Sequence, residues 1–285
     1  MPPFTPGPDS LLLLDDVERD LPKLAAAYRS ADPFPHTVLD GLVAPEVLDR
    51  LIEEHHAIPD ATWANYLHLN ERKYANRRPD TWGPTLQGVA DEFCSPRFLR
   101  VLEQLTGIDG LLADPAMDGG GLHRSLRGGF LNVHADFTAH HQDPHLHRRV
   151  NLLLYLNPDW DDAWGGALEL WSPDMSRRVT TIAPTSNRVV LFTTTETSFH
   201  GHPEPLRCPP DVARRSLALY YFTAEADVRV RSTEYRARPG DGIRGVGIYV
   251  DTRALRVYDR VKRRLGLDDG VVSRVTGLLG RRKGR

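Results

Sequence analysis

Six short runs of β-branched and aromatic residues crowd into the stretch between Phe130 and Thr223. They span residues 130–137, 149–157, 166–171, 177–183, 188–194 and 214–223, and are broken by turn signals such as Asn157-Pro158, Gly165-Gly166 and Pro184. Apolar runs of this length with this punctuation predict a sandwich or barrel of antiparallel strands. The residues before them have a different texture. Apolar residues recur at helical spacing over 11–31, 44–58, 84–93 and 96–105, and Pro45 sits where a helix start tolerates it. Residues 33–43 read as a short strand between the first two helices, and residues 117–129 are Gly-rich.

The expected organisation is therefore mainly β with helical support. A Pro- and Gly-rich, disordered start (1–10) precedes a helical support region (11–110). An all-β core (111–226) follows, then a C-terminal extension with basic helices (227–285). In that extension, eleven Lys/Arg stand against three Asp/Glu from Arg253 to Arg285. Such a tail is either a solvated helical face or a docking element for an acidic partner or anionic surface.

The net charge of -2 gives no reason to expect nucleic acid. Two cysteines, Cys94 and Cys208, are too few for a disulfide framework or a four-cysteine zinc site. The N-terminus lacks a basic segment, its apolar run is four leucines long, and no stretch is long enough to cross a bilayer. A cytoplasmic protein is expected.

Two chemistry-bearing residues stand at the end of the first β run. In His134-Ala135-Asp136, residues i and i+2 of a strand face the same way and can present an imidazole and a carboxylate side by side. Two imidazoles and one carboxylate suit a non-haem iron centre, holding the metal on one face and leaving adjacent positions open. A second such triplet, His141-Gln142-Asp143, lies in a polar stretch with His140, His145 and His147, where preorganisation is poorer. The third ligand must come from a distant strand. His200 and His202 both follow the run at 188–194, and Arg214-Arg215-Ser216 opens the last one.

Four ordered blocks carry a resemblance. His134-x-Asp136, Tyr155-Leu156-Asn157-Pro158-Asp159-Trp160 with Gly165-Gly166-Ala167-Leu168-Glu169-Leu170, His200, and Arg214-x-Ser216 with its apolar continuation resemble the 2-oxoglutarate/Fe(II) oxygenase superfamily. The likeness is to its prolyl-4-hydroxylase-like branch and covers roughly residues 111–224. It implies a double-stranded β-helix (jelly-roll) core packed on the N-terminal helices. It also implies Fe(II), 2-oxoglutarate and O₂ as the cofactor set, with ascorbate as an accessory reductant.

By resemblance, His134, Asp136 and His200 bind iron, and Arg214, Ser216 and Tyr155 receive the far carboxylate of 2-oxoglutarate. His202 shares strand parity with His200, but the resemblance places the ligand directly after the aromatic Phe199. Arg215 in place of Arg214 would lose the Arg-x-Ser spacing. Where the family often has a tyrosine before His-x-Asp, this chain has His123 and Arg124, which with Asn151 are candidates for the substrate pocket. The implied reaction is hydroxylation of an unactivated C–H bond on a peptidyl proline, amino acid or other small metabolite. Asp136 favours this outcome, since halogenases of the superfamily lack the carboxylate. Residues 118–129 and 138–149 flank the metal strand as candidate lids. Their Arg124, Arg127, His145, His147, Arg148 and Arg149 suggest a substrate with anionic or strongly hydrogen-bonding groups, or else are solvated loop charge. A cupin-like metal-binding isomerase or a non-catalytic binding module is the competing reading.

Overall fold

The computed structural model describes residues 10–242 together with Gly245, Gly247 and Ile248. Nearly all of the stretch expected to be disordered (1–10) and the basic tail from Arg253 onward lie outside these residues. Four α-helices occur where the apolar spacing predicts them: α1 (Leu14–Ser30), α2 (Pro45–Ala57), α3 (Pro84–Phe93) and α4 (Pro96–Thr106). Ser95 caps α4 by accepting a hydrogen bond from the Phe98 amide, and Gly107 ends it in the left-handed conformation.

Thirteen strands among the described residues join one antiparallel sheet. They are β1 (His36–Asp40), β2 (Ala64–His68), β3 (Glu71–Asn76), β4 (Leu112–Ala113), β5 (Gly121–Ser125), β6 (Phe130–Ala135) and β7 (Leu146–Tyr155). β8 (Leu168–Trp171), β9 (Arg178–Ile182), β10 (Arg188–Thr193), β11 (His200–His202), β12 (Arg214–Ala224) and β13 (Glu234–Tyr235) follow. The main path runs β1-β10-β7-β12-β5-β3-β6-β11-β8-β9.

Strand alternation divides this sheet into two environments. On β7 and β12, Val150, Leu152, Leu154, Leu217, Leu219 and Tyr221 face the helices, where they pack with Leu51, Leu86, Phe93, Phe98 and Leu102 in the main core. The intervening residues Asn151, Leu153, Ser216 and Tyr220 line an interior cavity on the opposite face. A substituted strand residue thus acts either on the core or on the cavity, according to its parity.

The sheet is not confined to 111–226. β1, β2 and β3 come from the region expected to be helical support, and β13 comes from the C-terminal extension. The Gly-rich stretch is not a lid either. Its centre is β5, an interior strand paired with both β12 and β3. Gly121 has φ +94°, and a Cβ there would lie 2.5 Å from the Asn76 carbonyl oxygen. Glycine is what lets β5 approach β3 so closely.

His55 of α2 is buried against Trp63, with ring centroids 5.3 Å apart. Burial lowers its pKa from 6.5 to about 3, and the cations Arg215, His56 and Arg124 push the same way. The unfolded chain takes up this proton near pH 6.5, whereas the folded protein resists it until about pH 3. His55 therefore adds stability at neutral pH that is lost as pH falls below 6.5, by about 1.4 kcal/mol per pH unit. In urea titrations at successive pH values, His55→Leu should flatten this acid limb by about that slope. An unchanged slope would place the lost protons elsewhere.

Candidate active site

The pairing of β6 with β11 assembles the site. His134 lies opposite His200 in the register, although 66 positions separate them in the chain, and their rings are 4.5 Å apart between centroids. Asp136 follows on the same face as His134. Its Oδ1 lies 3.5 Å from His134 Nε2 and its Oδ2 3.6 Å from His200 Nε2. All three residues are buried, with candidate ligand atoms within 4.8 Å of one another.

The tautomers suit a metal. His134 Nδ1 lies 2.9 Å from the Asn132 carbonyl and His200 Nδ1 2.9 Å from the Ser198 carbonyl. A carbonyl only accepts, so each Nδ1 carries the proton and each Nε2 keeps its lone pair toward Asp136. Burial lowers the His200 pKa to about 4 against the opposing pull of Asp136, keeping that ring neutral. His202 is also buried but stands outside this cluster, and its Nδ1 has no hydrogen-bond partner. The register shift between His200 and His202 separates the two rings. Gly201 sits at that shift, where a Cβ would meet the Leu131 carbonyl oxygen at 2.8 Å.

Burial works to raise the Asp136 carboxyl, but Arg148, then His200 and His134, hold it well below the usual carboxylate range. Arg148 is 1% exposed and donates from Nη2 to Asp136 Oδ2 at 3.0 Å. Asn151 Nδ2 donates to the same oxygen at 2.7 Å, while Asn151 Oδ1 accepts from Arg148 Nε (2.8 Å) and Thr194 Oγ1 (3.1 Å). These bonds fix the Asn151 amide and leave Asp136 Oδ1 for a metal. The Arg148 guanidinium also lies 3.3 Å from the Tyr220 ring centroid and 4.5 Å from that of Phe137.

Arg214 enters the same cavity from the start of β12 and is 7% exposed. It donates from Nε to the Gly166 carbonyl at 2.7 Å and from Nη2 to the Tyr155 hydroxyl at 3.0 Å. Among the described residues no carboxylate pairs with it. Tyr155 is fully buried behind it, and burial raises its phenol pKa against the opposing pull of Arg214. Ser216 lines the cavity two residues on, in register with both His123 and Tyr155. Arg215 points the other way and donates to the Ala213 carbonyl.

The cavity, about 210 Å³, gathers His123 and Asn151 but not Arg124. Arg124 occupies the outer face of β5, pairs with Asp60 at 2.9 Å and stacks on Trp63 and Tyr74. His141 pairs with Asp118 and takes no part in the His–Asp–His cluster. Of Arg124, Arg127, His145, His147, Arg148 and Arg149, only Arg148 lines the cavity. Arg149 and His147 pair with Glu225, and Arg127 donates to the carbonyls of Arg207 and Cys208. Sequence reasoning missed Glu71 and Lys73, which line the cavity from β3.

Comparison with known proteins agrees with this geometry. Residues 120–222 match the model of the 2OG-Fe(II) oxygenase superfamily. The match takes in His134, Asp136, His200 and Arg214 but covers less than half of the chain. An 86-residue stretch is 31% identical to mouse prolyl 3-hydroxylase OGFOD1, covering 29% of this chain and only 15% of that protein. The oxygenase fold is shared with a Pseudomonas putida prolyl-4-hydroxylase, at TM-score 0.51 and 15% identity, over 71% of this chain and all of that one. It is also shared with a Trichoplax adhaerens prolyl hydroxylase solved with a hypoxia-inducible-factor peptide, at TM-score 0.53 and 15% identity, over 73% and 91% of the two chains. The fold is thus the double-stranded β-helix seen in those two prolyl hydroxylases. No helix of the described residues is long and apolar enough to cross a membrane.

The geometry predicts a ranking of metal affinities. In anaerobic calorimetric titrations with Ni(II) as an oxygen-stable probe, His134→Ala and His200→Ala should each lose at least about tenfold in affinity. His202→Ala should stay near wild type. The reverse order for His200 and His202 would move the third ligand.

Proposed function

We propose that this chain is an Fe(II)- and 2-oxoglutarate-dependent dioxygenase that hydroxylates an unactivated C–H bond, with prolyl-hydroxylase-like chemistry. One observation carries the reading: a single cavity holds both the His–Asp–His cluster and a buried arginine that no carboxylate answers. An unpaired buried charge costs several kcal/mol, so a site that keeps one is built for an anion brought by a ligand. The dicarboxylate named by the domain's family supplies it.

In this reading His134 Nε2, Asp136 Oδ1 and His200 Nε2 hold iron. Bound iron supplies the oxygen activation that couples decarboxylation of 2-oxoglutarate, to succinate and CO₂, with hydroxylation of the substrate. Arg214 binds the far carboxylate, and Ser216 adds a hydroxyl donor. Tyr155 and the Gly166 carbonyl hold the guanidinium plane so that its remaining N–H donors face the cavity. Arg148 and Asn151 orient Asp136. Leu153, Leu168, Phe192 and Phe137 give the cavity apolar walls that exclude water. His123 and Asn151 border the space left for substrate. The free thiols of Cys94 and Cys208 suit a reducing cytoplasm.

The test is spectroscopic. Anaerobic Fe(II) and 2-oxoglutarate should give a weak visible charge-transfer band in the wild-type protein that Asp136→Ala abolishes. Arg214→Ala should weaken 2-oxoglutarate by about 2 kcal/mol or more, roughly thirtyfold in Kd, while Arg215→Ala has little effect. Iron binding without the band would favour a binding module or an isomerase.

A further inference from the structure

Much of the cavity's polar lining is already answered within the protein. Lys73 pairs with Glu71 at 3.0 Å, Arg148 and Asn151 are spent on Asp136, and the Tyr220 hydroxyl donates to the Gly119 carbonyl at 3.1 Å. His134 and His200 each bond, through Nδ1, the carbonyl two residues back. His202 breaks this pattern. It lines the same cavity, is 4% exposed, and its Nδ1 has no hydrogen-bond partner. A buried polar atom left in this way costs free energy, so a histidine kept only to fill the wall would be a poor choice beside an apolar residue.

The place of this ring in the sheet says what could answer it. β11 pairs antiparallel with β8, His200 opposite Leu170 and Gly201 opposite Glu169. The step from His200 to His202 therefore runs toward the start of β8, where Leu168 lines the cavity. Two residues before Leu168, the Gly166 carbonyl accepts from Arg214 Nε at 2.7 Å. His202 thus stands on the wall between the metal cluster and Arg214. The Arg214 guanidinium is the charge that acts most strongly on its ring, ahead of Lys73 and His134. A ligand that meets the metal at one end and Arg214 at the other must pass this imidazole.

Resting on the oxygenase reading above, we infer that His202 is a further cosubstrate-binding residue, whose imidazole N–H donates to the far carboxylate of 2-oxoglutarate beside Arg214 and Ser216. An imidazole carries at least one N–H in either protonation state, so the bond needs no titration. Arg214 and Ser216 approach that carboxylate from β12, whereas His202 approaches from β11. The strand that supplies His200 to the metal then also holds the other end of the cosubstrate, which fixes the two ends relative to each other.

The experiment titrates 2-oxoglutarate anaerobically into the full chain loaded with Fe(II), following the charge-transfer band, with a parallel Ni(II) titration of each variant. His202→Leu should weaken 2-oxoglutarate about tenfold or more in Kd while its Ni(II) affinity stays near wild type. His202→Asn and His202→Gln place an amide N–H near one or the other ring nitrogen, and at least one of them should recover part of the loss. Unchanged 2-oxoglutarate affinity in His202→Leu would overturn the inference, leaving the nitrogen to a trapped water or to the substrate. A parallel loss of Ni(II) affinity would overturn it as well, making His202 part of the metal site or its scaffold. So would a loss that neither amide recovers, because packing rather than a donor would then be at stake. Absence of the band from the wild-type protein would instead remove the oxygenase reading itself.

Discussion

A carboxylate clamped by one buried arginine inside a curled sheet is the constraint around which this site is organised. Asp136 has 9% of its side chain exposed, and an ionised carboxylate at that depth costs several kcal/mol unless it is paired. Arg148 and Asn151 supply the pairing from β7, Tyr220 of β12 and Phe137 pack against the guanidinium, and Thr194 beyond β10 holds the amide. Four neighbouring segments are thus tied to one ligand oxygen. Its companion Oδ1 takes no part in that clamp and lies 3.5 Å from His134 Nε2, so a metal bound there would find its carboxylate already oriented.

The alternation of β5 and β12 explains why adjacent, chemically equal residues have different fates. Arg214 and His123 face the cavity, while Arg215 and Arg124 are cross-strand partners on the outer side. Arg124 there is held by Asp60 and two aromatic rings. Shifting either strand by one residue would exchange the two sets. The apolar residues Leu217, Leu219 and Tyr221, locked into the helical core, forbid that exchange. Core packing on one face therefore specifies the chemistry on the other.

Where a strand packs on the apolar core, its sequence was easy to read. The runs that became β6, β7, β10 and β12 alternate or cluster apolar residues, and the four helices show their period clearly. The hairpin of β2 and β3 was missed because its inward residues Glu71, Lys73 and Tyr66 face a polar cavity, so no apolar alternation marks it. β5 was missed for another reason: glycines that permit close backbone approach look, in sequence, like glycines that permit flexibility. Arg148 was grouped with loop charges because its partner Asp136 lies twelve residues away across a turn. The grouping of His134 with His200, and of Arg214, Ser216 and Tyr155 in one cavity, was legible only by resemblance, since the β6–β11 and β7–β12 registers that join them are tertiary facts.

The division of labour along the chain follows from the same topology. The His134–Asp136–His200 cluster, Arg214, and the Arg148 and Asn151 that clamp Asp136 all fall within residues 120–222, the segment that matches the family model. Glu71, Lys73 and Tyr66 lie before it, and Thr233 and Tyr235 after it, yet all five line the same cavity. Tyr235 pairs with His134 in the register and packs 5.4 Å from its ring. The cavity is thus walled in part by residues outside the matched segment. A change in the hairpin or the C-terminal strand would alter this cavity from outside the matched segment. This is why likeness confined to the β-helix speaks to the reaction and leaves the substrate to residues outside it.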